Sequence, residues 1–159
     1  MPGSEDILIY ENDKVKCEDA FKKADVVFTL DFNSLSRARN LSSLISRSTA
    51  KTIMIDHHEN PDNYADITIS NSKMSSTCEM VYDFICSIDK SKIDNKIATC
   101  IYTGIVADTG SFRFPSTTSK TLKVGSELIN YGVNVTEIFE KLHNNFQFKR
   151  LKLLGSAIN

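Results

Sequence analysis

The sequence lacks a strong net charge and long hydrophobic runs. Its 159 residues include 19 Lys and Arg against 20 Asp and Glu, which gives a formal net charge of −1. No overall basic field therefore recruits long nucleic acid, and any nucleic-acid substrate is expected to be short and held locally. No apolar run approaches the roughly 20 residues that a membrane-spanning helix needs, and no signal peptide is visible at the start. We expect a cytoplasmic protein with no membrane partner.

Cysteine pairs of the CxxC type are also absent. The chain has four cysteines, at positions 17, 78, 86 and 100. Free thiols in a reducing compartment are the simplest account of them. The sequence shows no internal repeat, low-complexity tract or long linker. With 41% hydrophobic and 25% charged residues, its composition is that of one globular domain with a real core.

Two short apolar runs end abruptly in polar groups. Ile53, Met54 and Ile55 are consecutive, as in a strand buried on both faces of a parallel sheet, and Asp56-His57-His58 follows them. Residues 25–31 form a similar run that ends in Asp31. A helical pattern from Ser34 or Ser36 to about Ser46 separates the two runs.

The order strand, helix, strand implies parallel neighbours joined by a right-handed crossover. The polar groups that end the two strands then share the crevice beyond the strand ends, where open α/β sheets bind ligands. The predicted fold class is α/β, with three layers and a mostly parallel sheet flanked by helices. Further strands are predicted at 6–10 and, at a sheet edge, 65–70. Further helices are predicted at 17–23, 76–85, 94–105, 117–131, 134–143 and 146–159.

Two of the three histidines in the chain are adjacent, at positions 57 and 58. Alternation along an extended chain would aim them in opposite directions. His57 could then hold a metal while His58 faces substrate, or the reverse. The alternative is a surface loop that carries two solvated imidazoles. The position at the end of a buried strand, directly after an aspartate, favours a site.

Asp108 interrupts another apolar run and precedes Thr109-Gly110. It is either a turn former at a helix end or a metal ligand, and the local sequence does not choose between them. With Asp31 and His57 it would supply two carboxylates and one imidazole, a set that suits Mn²⁺, Fe²⁺ or Zn²⁺ better than Mg²⁺. Two bridged ions are a common device for hydrolysing phosphoesters, but three protein ligands are too few to hold both.

Three stretches, in this order, closely resemble the DHH phosphoesterase family. They are Asp31 at the end of one strand, Asp56-His57-His58 at the end of the next, and residues 104–113, which read Gly-Ile-Val-Ala-Asp-Thr-Gly-Ser-Phe-Arg. The nearest resemblance is to the RecJ-like branch of bacterial oligoribonucleases and pAp phosphatases. It extends from about Asp6 to the end of the chain.

The resemblance implies a catalytic domain with a five-stranded parallel sheet and two Mn²⁺ ions, with Mg²⁺ or another divalent ion as an alternative. Asp31, His57 and Asp108 match the family's metal ligands.

Four further positions match the family less directly. His58 matches a catalytic histidine that lies against substrate phosphate and acts as an acid. Asp56 matches the aspartate beside it, which either binds metal or supports the ligands. Arg113 and Ser76 are weaker matches, to residues that contact phosphate. For Ser76 the alternative is simple capping of a helix.

The implied function is hydrolysis of short oligonucleotides (nanoRNA) or pAp to mononucleotides, by water that two metal ions activate. The alternatives are a pyrophosphatase or exopolyphosphatase of the same fold, and a non-catalytic nucleotide-binding module. The expected partners are short oligonucleotides or a nucleoside 3′,5′-bisphosphate, and homodimerisation stays open.

Two parts of the family pattern are absent. The first motif, with its histidine and two aspartates, does not occur, nor does the C-terminal substrate-binding domain (DHHA1). Residues 1–159 are therefore expected to be the catalytic domain of a longer protein, shortened at both ends. The expected metal site is incomplete, and activity of these residues alone is in doubt.

Overall fold

The computed structural model describes residues 1–143 and 148–158, which form three strands and seven α-helices. The strands are β1 (Val26–Leu30), β2 (Lys51–Asp56) and β3 (Ile67–Ser70). The helices are α1 (Lys14–Lys23), α2 (Ser42–Arg47), α3 (Thr77–Asp89), α4 (Asn95–Asp108), α5 (Ser119–Ile129), α6 (Val135–His143) and α7 (Phe148–Ile158). Short 3-10 helices cover Ser4–Asp6, Leu35–Leu41 and Lys90–Lys92.

The sheet has the order β1-β2-β3, and both strand pairs are parallel. In the centre, Met54 and Ile55 of β2 are almost completely buried, as expected for a strand covered on both faces. Leu30 lies opposite Ile55, so β1 and β2 end side by side. The predicted α/β class, with a parallel sheet flanked by helices, is confirmed. The predicted edge strand is β3.

The main core lies among α3, α4, α5 and α6, next to the sheet. It contains two buried tyrosines and a set of aliphatic side chains, with members that include Tyr82, Ala98, Ile101, Tyr102, Ile105, Val124, Leu128 and Ile138. Helices α3 and α4 approach each other closely at Gly104, where an added Cβ would lie 2.1 Å from Cys78 Sγ. The four cysteines are all free, as predicted.

Two predicted elements differ in the structure. Residues 6–10 do not form a strand, because none of the strands β1 to β3 pairs with them, and Ile7, Leu8 and Ile9 are exposed. The single helix predicted from 34 or 36 to 46 is broken at Arg39, whose φ and ψ are 49° and −120°. The hydroxyl of Ser42 donates to Arg39 O at 2.7 Å, a local side-chain bond of the kind that competes with helix formation.

The other predicted helices are present within a few residues of their expected bounds. Ser76, Asp94 and Thr118 cap α3, α4 and α5 through side-chain oxygens that accept backbone N–H groups. The predicted ends of the last helix, at Phe146 and Asn159, lie outside the described residues. In the described part of the chain, the helices are too short or too polar to cross a membrane.

The close approach at Gly104 generates a stability prediction. Gly104→Ala is expected to lower the free energy of unfolding by roughly 1–3 kcal/mol, because the new methyl group overlaps Cys78 and forces α3 and α4 apart. Urea denaturation measures the change. Gly155→Ala is the control, since no atom lies within 4 Å of an added Cβ there. If G104A were as stable as the wild-type protein, this close packing of α3 against α4 would be contradicted.

Candidate metal centre at the carboxyl ends of the strands

Asp31 is held at the end of β1 by the backbone of β2. Its N–H donates to Ile55 O at 3.2 Å, and its φ of 67° lies in the left-handed region. Aspartate is one of the few non-glycine residues that tolerates this conformation. The chain turns there, and Asp31 is placed beside the residues that follow β2.

His57 lies between two carboxylates. Its Nε2 is 3.8 Å from Asp31 Oδ1 and 3.8 Å from Asp108 Oδ2. Its Nδ1 lies 3.3 Å from Met74 O. Since a carbonyl can only accept, this contact assigns the proton of the neutral ring to Nδ1. The lone pair of Nε2 then faces the two carboxylates, and oxygen and imidazole donors of this kind are typical metal ligands.

His58 is held by the buried carboxylate of Asp56. Asp56 is 0% exposed, and its two oxygens accept hydrogen bonds from His58 N at 2.9 Å and from His58 Nδ1 at 2.7 Å. Both oxygens are therefore used to orient His58, and its Nε2 is left for other partners. Asp56 is therefore placed to orient His58, and its role in catalysis or metal binding stays a prediction.

The prediction that the two histidines point in opposite directions is wrong. The ring centroids of His57 and His58 are 4.9 Å apart, and one ligand atom from each lies within 4.8 Å of the other and of an Asp31 oxygen. The reason is that β2 ends at Asp56, so the alternation of an extended strand does not continue through the two histidines.

Asp108 is the last residue of α4, and its side chain is 40% exposed. Its pKa is raised above the ordinary value of a carboxyl group. Partial burial is the largest cause and the negative charge of Asp31 the next, while His57 and His58 act in the opposite direction. The carboxylates of Asp31 and Asp108 repel each other, and a bound cation would reduce this repulsion.

The chain reverses directly after α4. Gly110, Ser111 and Phe112 have φ values of 54°, 63° and 63°. Three successive residues in the left-handed region are uncommon, and such backbone strain tends to occur at functional sites.

Two supporting contacts were not foreseen from the sequence. One is the Met74 carbonyl at His57, and the other is Thr77, whose Oγ1 donates to Asp31 Oδ1 at 2.8 Å. The only signal in the sequence was the group of hydroxyls at the start of α3. A backbone carbonyl leaves no signal in the residue type.

Ser76 and Arg113, the two residues predicted to contact phosphate, lie in different surroundings. Ser76 is 0% exposed, and its Oγ accepts from Glu79 N at 3.1 Å, so it caps α3. Arg113 is exposed, and its Nε donates to Gly110 O at 2.7 Å within its own turn. Contact of either residue with phosphate stays a prediction.

The donor set fits a divalent transition ion. Ligand atoms about 2.0–2.2 Å from one ion lie roughly 3–4 Å from each other, and the two 3.8 Å separations around His57 Nε2 match this range. A set of oxygen atoms and imidazole nitrogen suits Mn²⁺, Fe²⁺ or Zn²⁺. Among the described residues, the group whose ligand atoms all lie within 4.8 Å of one another is Asp31, His57 and His58. Asp108 lies 3.8 Å from His57 Nε2 but is not a member of that group, so its role as a ligand stays a prediction.

The contacts of Asp56 generate a prediction about His58. In Asp56→Asn, the amide oxygen must accept from His58 N, so the NH₂ group faces His58 Nδ1. The ring must then accept at Nδ1 and carry its proton on Nε2. Imidazole ¹⁵N NMR of the neutral ring measures the switch. Asp62→Asn, in the exposed loop nearby, should leave the tautomer unchanged. A wild-type His58 protonated at Nε2 would contradict the assignment.

The raised pKa of Asp108 generates a prediction about stability. The folded protein holds this proton more tightly than the unfolded chain does, so it loses stability as pH rises from about 4 through the raised value. Without metal, Asp108→Asn should therefore be more stable than wild type at pH 7, by up to about 1 kcal/mol. The difference should shrink towards pH 4, and thermal unfolding in a chelator measures it.

Asp66→Asn is the control, and its effect on stability at pH 7 should have the opposite sign. The pKa of Asp66 is lowered, chiefly by the hydrogen bond from Thr52 N and then by that from Lys51. Its replacement should lower stability at pH 7. A stabilised D66N, or a destabilised D108N, would contradict the electrostatic account.

Comparison with protein families agrees with this geometry. Residues 4–105 match the family described as "DHH family, N-terminal domain". The Bacillus subtilis protein named bifunctional oligoribonuclease and PAP phosphatase NrnA is 40% identical over 117 residues, which are 67% of this chain and 37% of that protein. The Thermus thermophilus protein of the same name is 37% identical over 110 residues, 67% of this chain and 32% of that protein.

Two solved structures are also similar. An exopolyphosphatase-related protein from Bacteroides fragilis superposes with a TM-score of 0.95 at 38% identity, over 99% of this chain and 47% of that chain. A Methanococcus jannaschii protein assigned to the family II inorganic pyrophosphatases superposes with a TM-score of 0.53 at 17% identity, over 75% of this chain and 43% of that one, and shows the fold alone.

The chain spans less than half the length of each of these relatives. The family match covers most of the chain, and the predicted resemblance to the oligoribonuclease and pAp-phosphatase branch is confirmed by the relatives of that name. The chain belongs to the DHH family.

Proposed function

We propose that the protein is a metal-dependent phosphoesterase that hydrolyses short oligonucleotides or nucleoside 3′,5′-bisphosphates to mononucleotides. The observation that carries the proposal is the convergence of His57 Nε2 with Asp31 and Asp108 at 3.8 Å each. The names of the Bacillus and Thermus relatives support this substrate class.

Asp31, His57 and Asp108 would hold the metal, and Mn²⁺ is the ion we propose. When bound, such an ion supplies Lewis acidity to a phosphoryl oxygen and acidifies water at neutral pH. The described residues bring together enough ligands for one ion. A second ion needs donors beyond these three residues and His58.

His58 is the residue best prepared to move a proton. Asp56 accepts its Nδ1–H at 2.7 Å and so fixes the orientation and tautomer of the ring. The free Nε2 can then donate to a phosphate oxygen or to the leaving group. Asp56 is fully buried and both of its oxygens bond His58, so the carboxylate is fixed against the ring.

A cavity next to His58 supports a substrate of nucleotide size. It has a volume of about 410 Å³ and is lined by polar side chains that include Asn60, Asn71, Ser72 and Lys73. This volume lies at the lower end of the roughly 300–1,000 Å³ range of small-molecule sites. Glu59 and Lys73 also line the cavity, so it carries charges of both signs. The chain's net charge of −1 also favours a short substrate over a long one.

The alternative substrate is inorganic polyphosphate or pyrophosphate. It is supported by the Bacteroides structure, which is described as exopolyphosphatase-related and is 38% identical. The amide and hydroxyl groups of the cavity beside His58 favour a nucleotide, since they can bond to a sugar and a base as well as to phosphate. Cytoplasmic location and homodimerisation stay predictions.

The proposal predicts that His57→Ala lowers turnover by at least about 10³-fold, because the substitution removes the central donor of the metal site. The assays are Mn²⁺-dependent release of mononucleotide from a dinucleotide and of phosphate from pAp, made on the full-length gene product.

His143→Ala is the matched control. It is the third histidine of the chain, and its Nε2 lies 2.9 Å from Ser111 Oγ, outside the metal-binding group. Turnover by H143A should stay within about threefold of wild type. Hydrolysis of polyphosphate or pyrophosphate, with no turnover of dinucleotide or pAp, would overturn the nucleotide proposal in favour of the alternative.

A further inference from the structure

The segment Met74–Thr77 touches two of the three proposed metal ligands. At one end the Met74 carbonyl contacts His57 Nδ1, and at the other the Thr77 hydroxyl donates to Asp31. The first contact sets the tautomer of His57, and the second sets the orientation of the Asp31 carboxylate. The precision of the site therefore depends on how firmly this short segment is held.

One buried side chain is hydrogen-bonded to this segment. Glu79, in the first turn of α3, accepts three hydrogen bonds at a single oxygen, Oε2. The donors are Ser75 Oγ, Ser75 N at 3.4 Å and Thr121 Oγ1 at 3.0 Å. Ser75 lies between Met74 and Thr77, the two residues that contact the proposed metal ligands. Glu79 is therefore hydrogen-bonded to the middle of the segment.

Glu79 lies three residues after Ser76, the spacing of a capping box. In a complete capping box, its side chain would return to the backbone N–H of Ser76, the cap residue. In the structure the Ser76 hydroxyl does accept from Glu79 N, but the carboxylate is directed to Ser75 and to Thr121. The carboxylate therefore does more than cap α3.

The surroundings of Glu79 are costly for a carboxyl group. Glu79 is 1% exposed, and its three donors are neutral groups on residues that are themselves buried. An apolar residue at this position would avoid the cost of burying the carboxyl group. Hydrogen bonds at a buried site are strong and geometrically restrictive, which is what accurate placement of a neighbouring segment requires.

Glu79 also connects the site to α5. Thr121 lies in the first turn of α5 and bonds Thr118, its cap residue. The same hydroxyl donates to Glu79, so the N-terminal ends of α3 and α5 are joined through this carboxylate. The hydrogen bond from Thr121 therefore restrains Glu79, and through it the segment Met74–Thr77, from a second helix.

We propose that Glu79 is a positioning residue for the metal centre, which acts through Ser75 on His57 and Asp31. The proposal rests on the metal-binding function proposed above. Glu79 touches neither metal nor substrate, and it sets how well the two ligands are pre-arranged to receive the ion.

The first test is Mn²⁺ affinity, measured by calorimetry. Glu79→Ala should weaken binding by about 10–100-fold, the range typical for loss of a group that orients a ligand. Glu79→Gln keeps one acceptor oxygen and should bind within about threefold of wild type. Asp83→Ala is the matched control. Asp83 is one turn further along α3 and also reaches α5, through an exposed ion pair with Lys120 at 2.5 Å. D83A should bind within about twofold of wild type.

The second test uses metal-free protein. Imidazole ¹⁵N NMR should show the His57 proton on Nδ1 in wild type, E79Q and D83A, and a mixture of both tautomers in E79A. This readout does not need metal. If wild type fails to bind Mn²⁺, the proposed function fails, while the NMR result still decides the role of Glu79.

Unchanged Mn²⁺ affinity and an unchanged His57 tautomer in folded E79A would overturn the proposal. If E79A does not fold, Ser75→Ala and Thr121→Val replace it, since each removes one hydroxyl donor to Glu79. At least a threefold loss of affinity in S75A supports the proposal. Affinity equal to wild type in both variants overturns it.

Discussion

The parallel pairing of β1 with β2 is the constraint on which the site depends. Leu30 is in register with Ile55, and the next residue, Asp31, donates its N–H to Ile55 O. This backbone bond places the Asp31 carboxylate beside the residues that leave β2. A slip of one residue would move Asp31 along the strand and turn its side chain to the other face of the sheet. The register is thus as important to the chemistry as the ligands themselves.

At this edge of the sheet, the remaining groups around His57 and Asp31 come from the helices and the segments next to them. Helix α4 brings Asp108 from the far part of the chain, the segment before α3 brings the Met74 carbonyl, and the first residue of α3 is Thr77. The result is a layered arrangement in which His57 and Asp31 contact Met74 and Thr77, and Ser75, which lies between those two residues, bonds the buried carboxylate of Glu79. Each layer is more buried than the one before it. This order is consistent with a site that must be open to substrate and still keep its geometry.

Much of this arrangement could be predicted from the sequence. The pattern of strand, helix and strand was enough to bring Asp31 together with Asp56, His57 and His58, because parallel strands end at the same edge. Asp108 was harder to place, since its local sequence fits a helix end equally well. It is the last residue of α4, and its carboxylate lies 3.8 Å from His57 Nε2.

What could not be predicted has physical causes. The Met74 carbonyl has no signature in the residue type, and the bonds of Glu79 depend on a helix 42 residues away in the chain. At the kink, Arg39 O accepts from the Ser42 hydroxyl, a local bond of the kind that competes with a helical pattern. The segment at 6–10 has the composition of a strand, but a strand forms only where a neighbour offers hydrogen bonds.

The left-handed backbone of Asp31 has a consequence for how this position can vary in evolution. The backbone there accepts glycine and asparagine readily, and most other residues poorly. The proposed metal site requires a carboxylate. Glutamate has the charge, but it is less suited to the turn and its longer side chain would not end at the same point. Glycine and asparagine keep the turn and lose the charge. Aspartate alone satisfies both requirements, so a relative with another residue at this position is expected to keep the fold and to have lost the original metal site.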